Sequence, residues 1–352
     1  NSNEAGGIEV ADYTTASGSR AFAVGNDNLA SGSSSTAMGR GTIASGDDST
    51  ALGANTEASG LHSTAMGYET NAIGNVSTAM GAYTAASGTV STAMGDTTIA
   101  NGTVSTAMGG LTTASGNFST SMGANTAASG HYSTAMGHET QAIGHASTSM
   151  GTSTIASGYS STSMGTSTIA SGDDSTAMGN NTLASDYASV AIGQYNNSLS
   201  SVTTNGSATA YDTDNTALVI GNGVDGDNRS DALVVKFNGD ATLAGNLNIN
   251  SDARLKANIV SIGSTLSKLL KIDGKSYTMK KDENKKQKIG LLAQDIEKVF
   301  PELVSESHGV KSVNYQGLVP ILINALKEQD EKMKSQQSQI DELRALVQNL
   351  IN

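Results

Sequence analysis

Ser35-Thr36-Ala37-Met38-Gly39-Arg40-Gly41-Thr42-Ile43-Ala44-Ser45-Gly46-Asp47-Asp48 is a fourteen-residue unit that returns, with small changes, along the first half of the 352-residue chain. One glycine line runs Gly25, Gly39, Gly53, Gly67 and onward every 14 residues to Gly193. Each is preceded by an aliphatic residue or Met, from Val24 and Met38 to Ile192. A second line, offset by half a period, runs Gly18, Gly32, Gly46 and onward to Gly172, and lapses at Asp186. A repeat this short, sustained this long, predicts a solenoid.

Fourteen residues are too few for a helical hairpin. They suffice for two strands of about five residues joined by two tight turns, with glycine where the chain needs positive φ. The expected product is a narrow parallel β-roll whose coils stack about 4.8 Å apart, making a rod on the order of 60 Å. Alternation puts Thr36 and Met38 on one face and Ser35 and Ala37 on the other. So thin a coil has room inside for one modest row, so a second apolar row must be covered from outside. Either assignment of inward and outward rows therefore predicts oligomerisation. The Met row reads as packing, not as a metal or redox feature. The Ser/Thr rows read as mutually satisfied polar rungs, with a glycan or receptor surface and an ice-binding hydroxyl lattice as the other readings. His62, His131, His138 and His145 sit at variable positions without metal-ligand spacing.

Composition agrees with a fibrous rather than an ordinary globular chain. There are 40 Gly, 4% aromatic residues, no Trp and no Cys, so burial has to come from many small side chains in order. Without Cys there are no disulfides and no Cys-based metal site, and no cofactor is expected. No apolar run approaches the roughly 20 residues of a membrane span. The start of the chain lacks a signal-peptide pattern, as expected of a phage protein assembled in the cytoplasm or of a trimmed chain. A net charge of -12 argues against nucleic acid and anionic membranes as partners. The halves differ in kind: no Lys precedes Lys236, Arg20 and Arg40 are the only basic residues in the first 200, and both prolines, Pro301 and Pro320, lie late.

Ser189-Val190-Ala191-Ile192-Gly193 resembles the motif of trimeric autotransporter adhesin heads, the YadA-like left-handed β-roll, and Ser-Thr-Ala-Met-Gly in other coils is similar with Met for Ile or Val. The resemblance covers about residues 16 to 193. It implies a trimeric head that binds host or environmental surfaces. No outer-membrane β-barrel follows, so that family's route of display is not supported.

Residues 194–250 lose the repeat and read as a connector. Two strands are expected at Asn215-Thr216-Ala217-Leu218-Val219-Ile220-Gly221-Asn222-Gly223 and Asp231-Ala232-Leu233-Val234-Val235-Lys236-Phe237, separated by a Gly- and Asp-rich loop from Asn222 to Asn228, then a turn at Asn238-Gly239-Asp240. Such strands resemble the intertwined β-prisms of phage tail fibres. Asp212, Asp214, Asp225 and Asp227 lack the spacing of calcium loops and read first as turn residues, with a calcium site as the other reading.

From Ser251 the chain becomes charged and helical. Ser251-Asp252-Ala253-Arg254-Leu255-Lys256-Ala257-Asn258-Ile259, Gly290-Leu291-Leu292-Ala293-Gln294-Asp295-Ile296-Glu297, Phe300-Pro301-Glu302-Leu303-Val304 and Val313-Asn314-Tyr315-Gln316-Gly317-Leu318-Val319-Pro320 are similar, in that order, to the intramolecular chaperones of phage tail spikes such as the endosialidases. The self-cleaving domain of myelin regulatory factor is similar too. On its own residues, Ser251-Asp252 reads as a helix cap. The resemblance implies a Ser/Lys pair at Ser251 and Lys256 and cleavage between Asn250 and Ser251. A serine needs a base to take its proton, and a lysine serves if burial lowers its pKa. Asp252 would orient the turn.

Val319, Leu326, Met333, Ile340 and Val347 share one heptad position, and Leu322, Gln329, Gln336, Leu343 and Leu350 the other. This predicts a parallel coiled coil over 319–351, with the Gln pair as a register-setting layer.

The expected molecule is mainly β: a β-roll head in a homotrimer (1–193), a β-prism connector (194–250), and an α-rich chaperone domain ending in a trimeric coiled coil (251–352). The expected function is a trimeric adhesin or tail fibre, extracellular, on a cell surface or virion tail. Its partners would be itself and a cell-surface glycan, protein receptor or other surface, with ice or another lattice as the alternative. No paired acids with supporting aromatics mark a polysaccharide-cleaving head.

Overall fold

The computed structural model describes residues 8–10, 13–198, 206–280 and 285–351. The chain forms two compact units, Asn1–Leu247 and Asn248–Asn352.

The first unit is a parallel β-solenoid with two sheets. Each coil contributes a five-residue strand, such as Thr36–Arg40, and a two-residue strand, such as Ile43–Ala44. Successive coils pair in parallel at the repeat offset, Met80 beside Met94 and Gly81 beside Gly95. The second strand is shorter than the five residues expected. Its alternation stops after the alanine because the N–H groups of Ser45 and Gly46 both donate to the Ala58 carbonyl, at 3.0 and 3.2 Å, which bends the chain.

The interior is built from the smallest side chains. Ser35, Ala37, Thr42 and Ala44 are fully buried, whereas Met38 is 40% exposed. The Ala/Ser row therefore faces inward and the Thr/Met row outward, the choice that alternation alone left open. In most coils the inward Thr hydroxyl, such as that of Thr84, has no partner in the chain. Where Ser replaces Ala, its hydroxyl crosses the interior: Ser121 Oγ lies 2.7 Å from Thr126 Oγ1, and Ser163 Oγ 2.7 Å from Thr168 Oγ1.

Only the first glycine line uses positive φ, at +123° in Gly109. The second line is needed for closeness: a Cβ on Gly102 would sit 2.0 Å from the Gly116 carbonyl oxygen. Positive φ is instead taken by the last residue of each seven-residue half. Asp48, His62, Val76 and Val90 at one edge, and Asn55, Glu69 and Tyr83 at the other, have φ between 50° and 59°.

The clash at each glycine runs toward the following coil, so the final coil can carry a side chain there. Asp186 does so, and its Oδ2 accepts from Thr216 N at 2.7 Å. The connector then continues the solenoid rather than leaving it. Thr216–Asn222 pairs in parallel with Val190–Gln194, placing Gly221 on Gly193. Asp231–Lys236 and Ala241–Leu243 add antiparallel strands. Arg229 latches this edge, donating from Nη1 to the carbonyls of Asn181 (2.9 Å) and Asn196 (3.2 Å).

The second unit is less helical than its charged sequence suggests. It holds two β-hairpins, Lys275–Tyr277 with Lys288–Gly290 and Val304–Ser307 with Val310–Val313, and short helices including Ala293–Glu297. Its core is Ile296, Phe300, Leu303, Leu318 and Ile321. A 34-residue helix, Leu318–Ile351, starts in that core and then leaves it. Beyond Ala325 its apolar residues, including Met333, Ile340 and Leu343, are exposed.

Candidate functional site

Ser251 and Lys256 flank a single 3-10 turn, Ala253–Leu255. Asp252 caps the turn: its Oδ1 accepts from Arg254 N at 2.8 Å, and its carboxylate also binds the Arg254 guanidinium, with Nη2 2.6 Å from Oδ2. Those Arg254 contacts, the side-chain one foremost, hold the Asp252 carboxyl below its ordinary range. At the other end Lys256 N donates to the Ala253 carbonyl at 3.1 Å. The turn thus brings two side chains five residues apart together, and Lys256 Nζ donates to Ser251 Oγ at 2.6 Å.

Both residues are exposed, as is every residue from 241 to 264. Ile249, Leu255, Ile259 and Val260 are more than 60% exposed, an apolar segment with no cover in the single chain. The segment is anchored downstream. Thr265, buried, donates from Oγ1 to the Ile321 carbonyl at 2.9 Å. Glu328 on the long helix accepts from the backbone N–H groups of Thr265 and Leu266, the latter at 3.2 Å. The Thr265 bond is the main reason the Glu328 carboxyl titrates below its usual range.

The other motif blocks have packing roles. Tyr315 Oη accepts from Leu291 N at 2.8 Å, and a Cβ on Gly290 would sit 2.8 Å from that oxygen. A Cβ on Gly317 would lie 2.4 Å from Leu303 Cδ2. Sequence reasoning missed Arg254, Thr265 and Glu328. Only the two-residue spacing of Asp252 and Arg254 carried any signal for them.

Asp225 accepts from Asp227 N and Asn228 N, at 3.0 and 2.8 Å, which is turn chemistry. Among the described residues no group of His, Asp or Glu is arranged to hold a metal ion. No helix there is long and apolar enough to cross a membrane.

Comparison with known proteins bears on both units. The model of the YadA head domain repeat matches residues 30–56 and 58–84 and, in overlapping windows, 86–196. That of the chaperone of endosialidase matches residues 251–305. The chain joins YadA head repeats to a chaperone-of-endosialidase domain. The latter family is one of self-cleaving intramolecular chaperones. Curated relatives include the long tail fiber protein Gp37 of Salmonella phage S16, 29% identical over 125 residues (33% of this chain, 17% of the relative). Gp37 of Escherichia phage AR1 is 30% identical over 105 residues, covering 27% of this chain and 10% of the relative. The chain thus spans less than a fifth of either relative's length.

Proposed function

We propose that the chain is a homotrimeric surface-binding fibre, displayed on a virion tail or cell surface, whose C-terminal domain drives trimerisation and cleaves itself off between Asn250 and Ser251. The contact between Ser251 Oγ and Lys256 Nζ at 2.6 Å carries the cleavage reading.

In the step we infer, neutral Lys256 takes the Ser251 proton as Oγ attacks the Asn250 carbonyl carbon. The Asn250–Ser251 C–N bond breaks, the Ser251 amine takes up the proton, and an ester remains. Water then hydrolyses the ester, leaving a carboxylate at Asn250 and a free amine at Ser251. For this the proton must run opposite to the donation in the contact, and desolvation of an ammonium is what favours its loss. Since both residues are exposed in one chain, that cover has to come from neighbouring chains, which would make cleavage wait for assembly.

The trimer itself is supported by two apolar stripes that face outward, the first half-buried in most coils and the second exposed. One is the outward Met row, continuous from Val24 to Ile192 and extended by Ile220. The other is the heptad stripe of the 34-residue helix, which suits a parallel coiled coil. Cutting after assembly would remove the element that registers the chains and leave the fibre kinetically locked. The ice-binding alternative draws on the Thr row, such as Thr78 and Thr92. That row shares the outward face of the Met row, so a trimer that buries one covers the other.

Mass spectrometry of the full chain tests the cleavage. We expect a product ending at Asn250, absent in Ser251→Ala and in Lys256→Met. Ile340→Asp with Leu343→Asp should block trimerisation and slow cleavage at least tenfold. Full-rate cleavage in that monomer would refute the dependence on assembly.

A further inference from the structure

Both edges of the solenoid put side chains other than Asn and Asp in their left-handed turns, Thr97 and Leu111 among them at one, but only the other carries an unbroken run of five apolar residues there. The last residue of the second half-repeat has φ near +56° to +59° in Val76, Val90, Val104, Phe118 and Tyr132. Asn, Asp and Gly adopt that conformation cheaply, whereas β-branched and bulky side chains do not. Other coils use Asp48 and Asp174 there. The apolar choices are half exposed, between 41% and 56%, so burial within the chain does not offset the strain. Strain of this kind, maintained over consecutive coils, points to use of the surface it creates.

The neighbouring position tells the same story. Where it holds Asp or Asn, the side chain accepts from the preceding coil's N–H: Asp47 from Ser33 N, Asn117 from Thr103 N and Asp173 from Tyr159 N, at 2.8 to 3.0 Å. His131, His145 and Tyr159 occupy that position with rings instead. They form a ladder with the rings beside them: Phe118 stacks on Tyr132 (5.0 Å, 6°) and His145 on Tyr159 (4.9 Å, 2°). Tyr132 meets His145 edge-on at 5.5 Å.

We propose that this edge, from Leu61 to Tyr159, binds a neutral glycan chain laid along the solenoid, with the ring ladder as its main contact. The inference rests on the surface-binding reading above and assigns it a site and a ligand class. Three observations select the occupant. The edge is bounded: Asp47 and Asp48 precede it and Asp173 and Asp174 follow it, whereas the Met row runs through every coil, as a threefold interface would require. That argues against a second copy of the chain. The ridge is one or two residues wide and spans seven coil steps, about 34 Å at ~4.8 Å each. With about 16 residues, such a ridge offers fewer than the roughly 20–30 a side of a stable protein pair, and its narrow, straight form suits an extended polymer. The coils concerned carry no Lys or Arg, so a polyanion finds no charge-assisted partner. Flat rings with hydroxyl and imidazole tips offer apolar area beside hydrogen-bonding groups, the mixture that a sugar's C–H face and hydroxyl rim require.

The test uses the full chain on immobilised neutral polysaccharides (mannan, galactan, β-glucan, dextran) and acidic ones (polysialate, heparin). We expect retention on at least one neutral polymer and none on the acidic ones. Phe118→Asn, Tyr132→Asn and Tyr159→Asn combined should weaken it at least tenfold. Asn suits the backbone at positions 118 and 132, so the fold should persist, as an unchanged melting curve would show. Tyr83→Asn, an equally exposed ring on the opposite edge, should bind as the parent does. Undiminished binding by the triple variant, retention on acidic polymers alone, or no neutral ligand in the panel would each overturn the inference. Capture of cells by the triple variant at parental levels would do so while leaving the surface-binding reading intact.

Discussion

Replacing Gly102 by Ala isolates the role of coil stacking. Gly102 lies outside the positive-φ region, and its added Cβ would sit 2.0 Å from the Gly116 oxygen, where real contacts do not fall below 3.0 Å. The two coils must therefore part locally by about 1 Å. Three backbone bonds cross that point: Asn101 N to Ala114 O (3.1 Å), Gly102 N to Ala114 O (3.2 Å) and Phe118 N to Thr103 O (2.8 Å). Stretched by that much, they lie beyond useful range. At about 1 kcal/mol each the loss is roughly 3 kcal/mol per chain, or some 6–12 °C in melting temperature for a unit of this size. Gly110→Ala is the internal control, since nothing lies within 4 Å of its Cβ. Thermal melts followed by circular dichroism should show a large drop for the first variant and none for the second. Equal melting temperatures would refute the stacking argument.

Ala79→Ser should place a hydroxyl opposite Thr84, as Ser121 stands opposite Thr126, and raise stability by about 1 kcal/mol in denaturant titration. Asp186→Ala removes the acceptor for Thr216 N. Hydrogen exchange should then quicken at residues 216–222 while the central coils stay protected. The Glu328 carboxyl is held below its ordinary range, so its anchoring of Thr265 is complete above the unfolded value of about 4.3 and fades as pH falls through the lower folded value. The acid transition of the C-terminal unit should therefore lose part of its steepness in Glu328→Gln, while stability at neutral pH falls.

The period, the two glycine lines and the solenoid were legible because stacking repeats the same demand in every coil. Which row faced inward was not, because Ala37 and Met38 are both apolar and alternation is symmetric. The width of the interior decides it, admitting Ser35, Ala37, Thr42 and Ala44, with Asn28 the largest side chain buried within the repeat, and leaving no room for a row of methionines. The left-handed turn positions were hidden as well, since Val76, Tyr83 and Phe118 carry none of the usual turn signals. The continuation into the connector was readable in retrospect: Gly221 falls 28 residues after Gly193, two full periods, and Leu218-Val219-Ile220-Gly221 echoes the coil motif. Ser251 and Lys256 stood out only through family resemblance. Their own spacing looks like an ordinary cap, and Glu328, which braces the segment, lies more than 60 residues away.

Each coil makes its contacts only with the coils above and below it, so the head has no preferred length. Duplicating or deleting a whole unit would leave every interface chemically unchanged and alter reach by about 4.8 Å. A change of seven residues is a different matter. It would set a two-residue strand where a five-residue one is due and break the methionine line, so a viable lineage can resize this head only in whole turns.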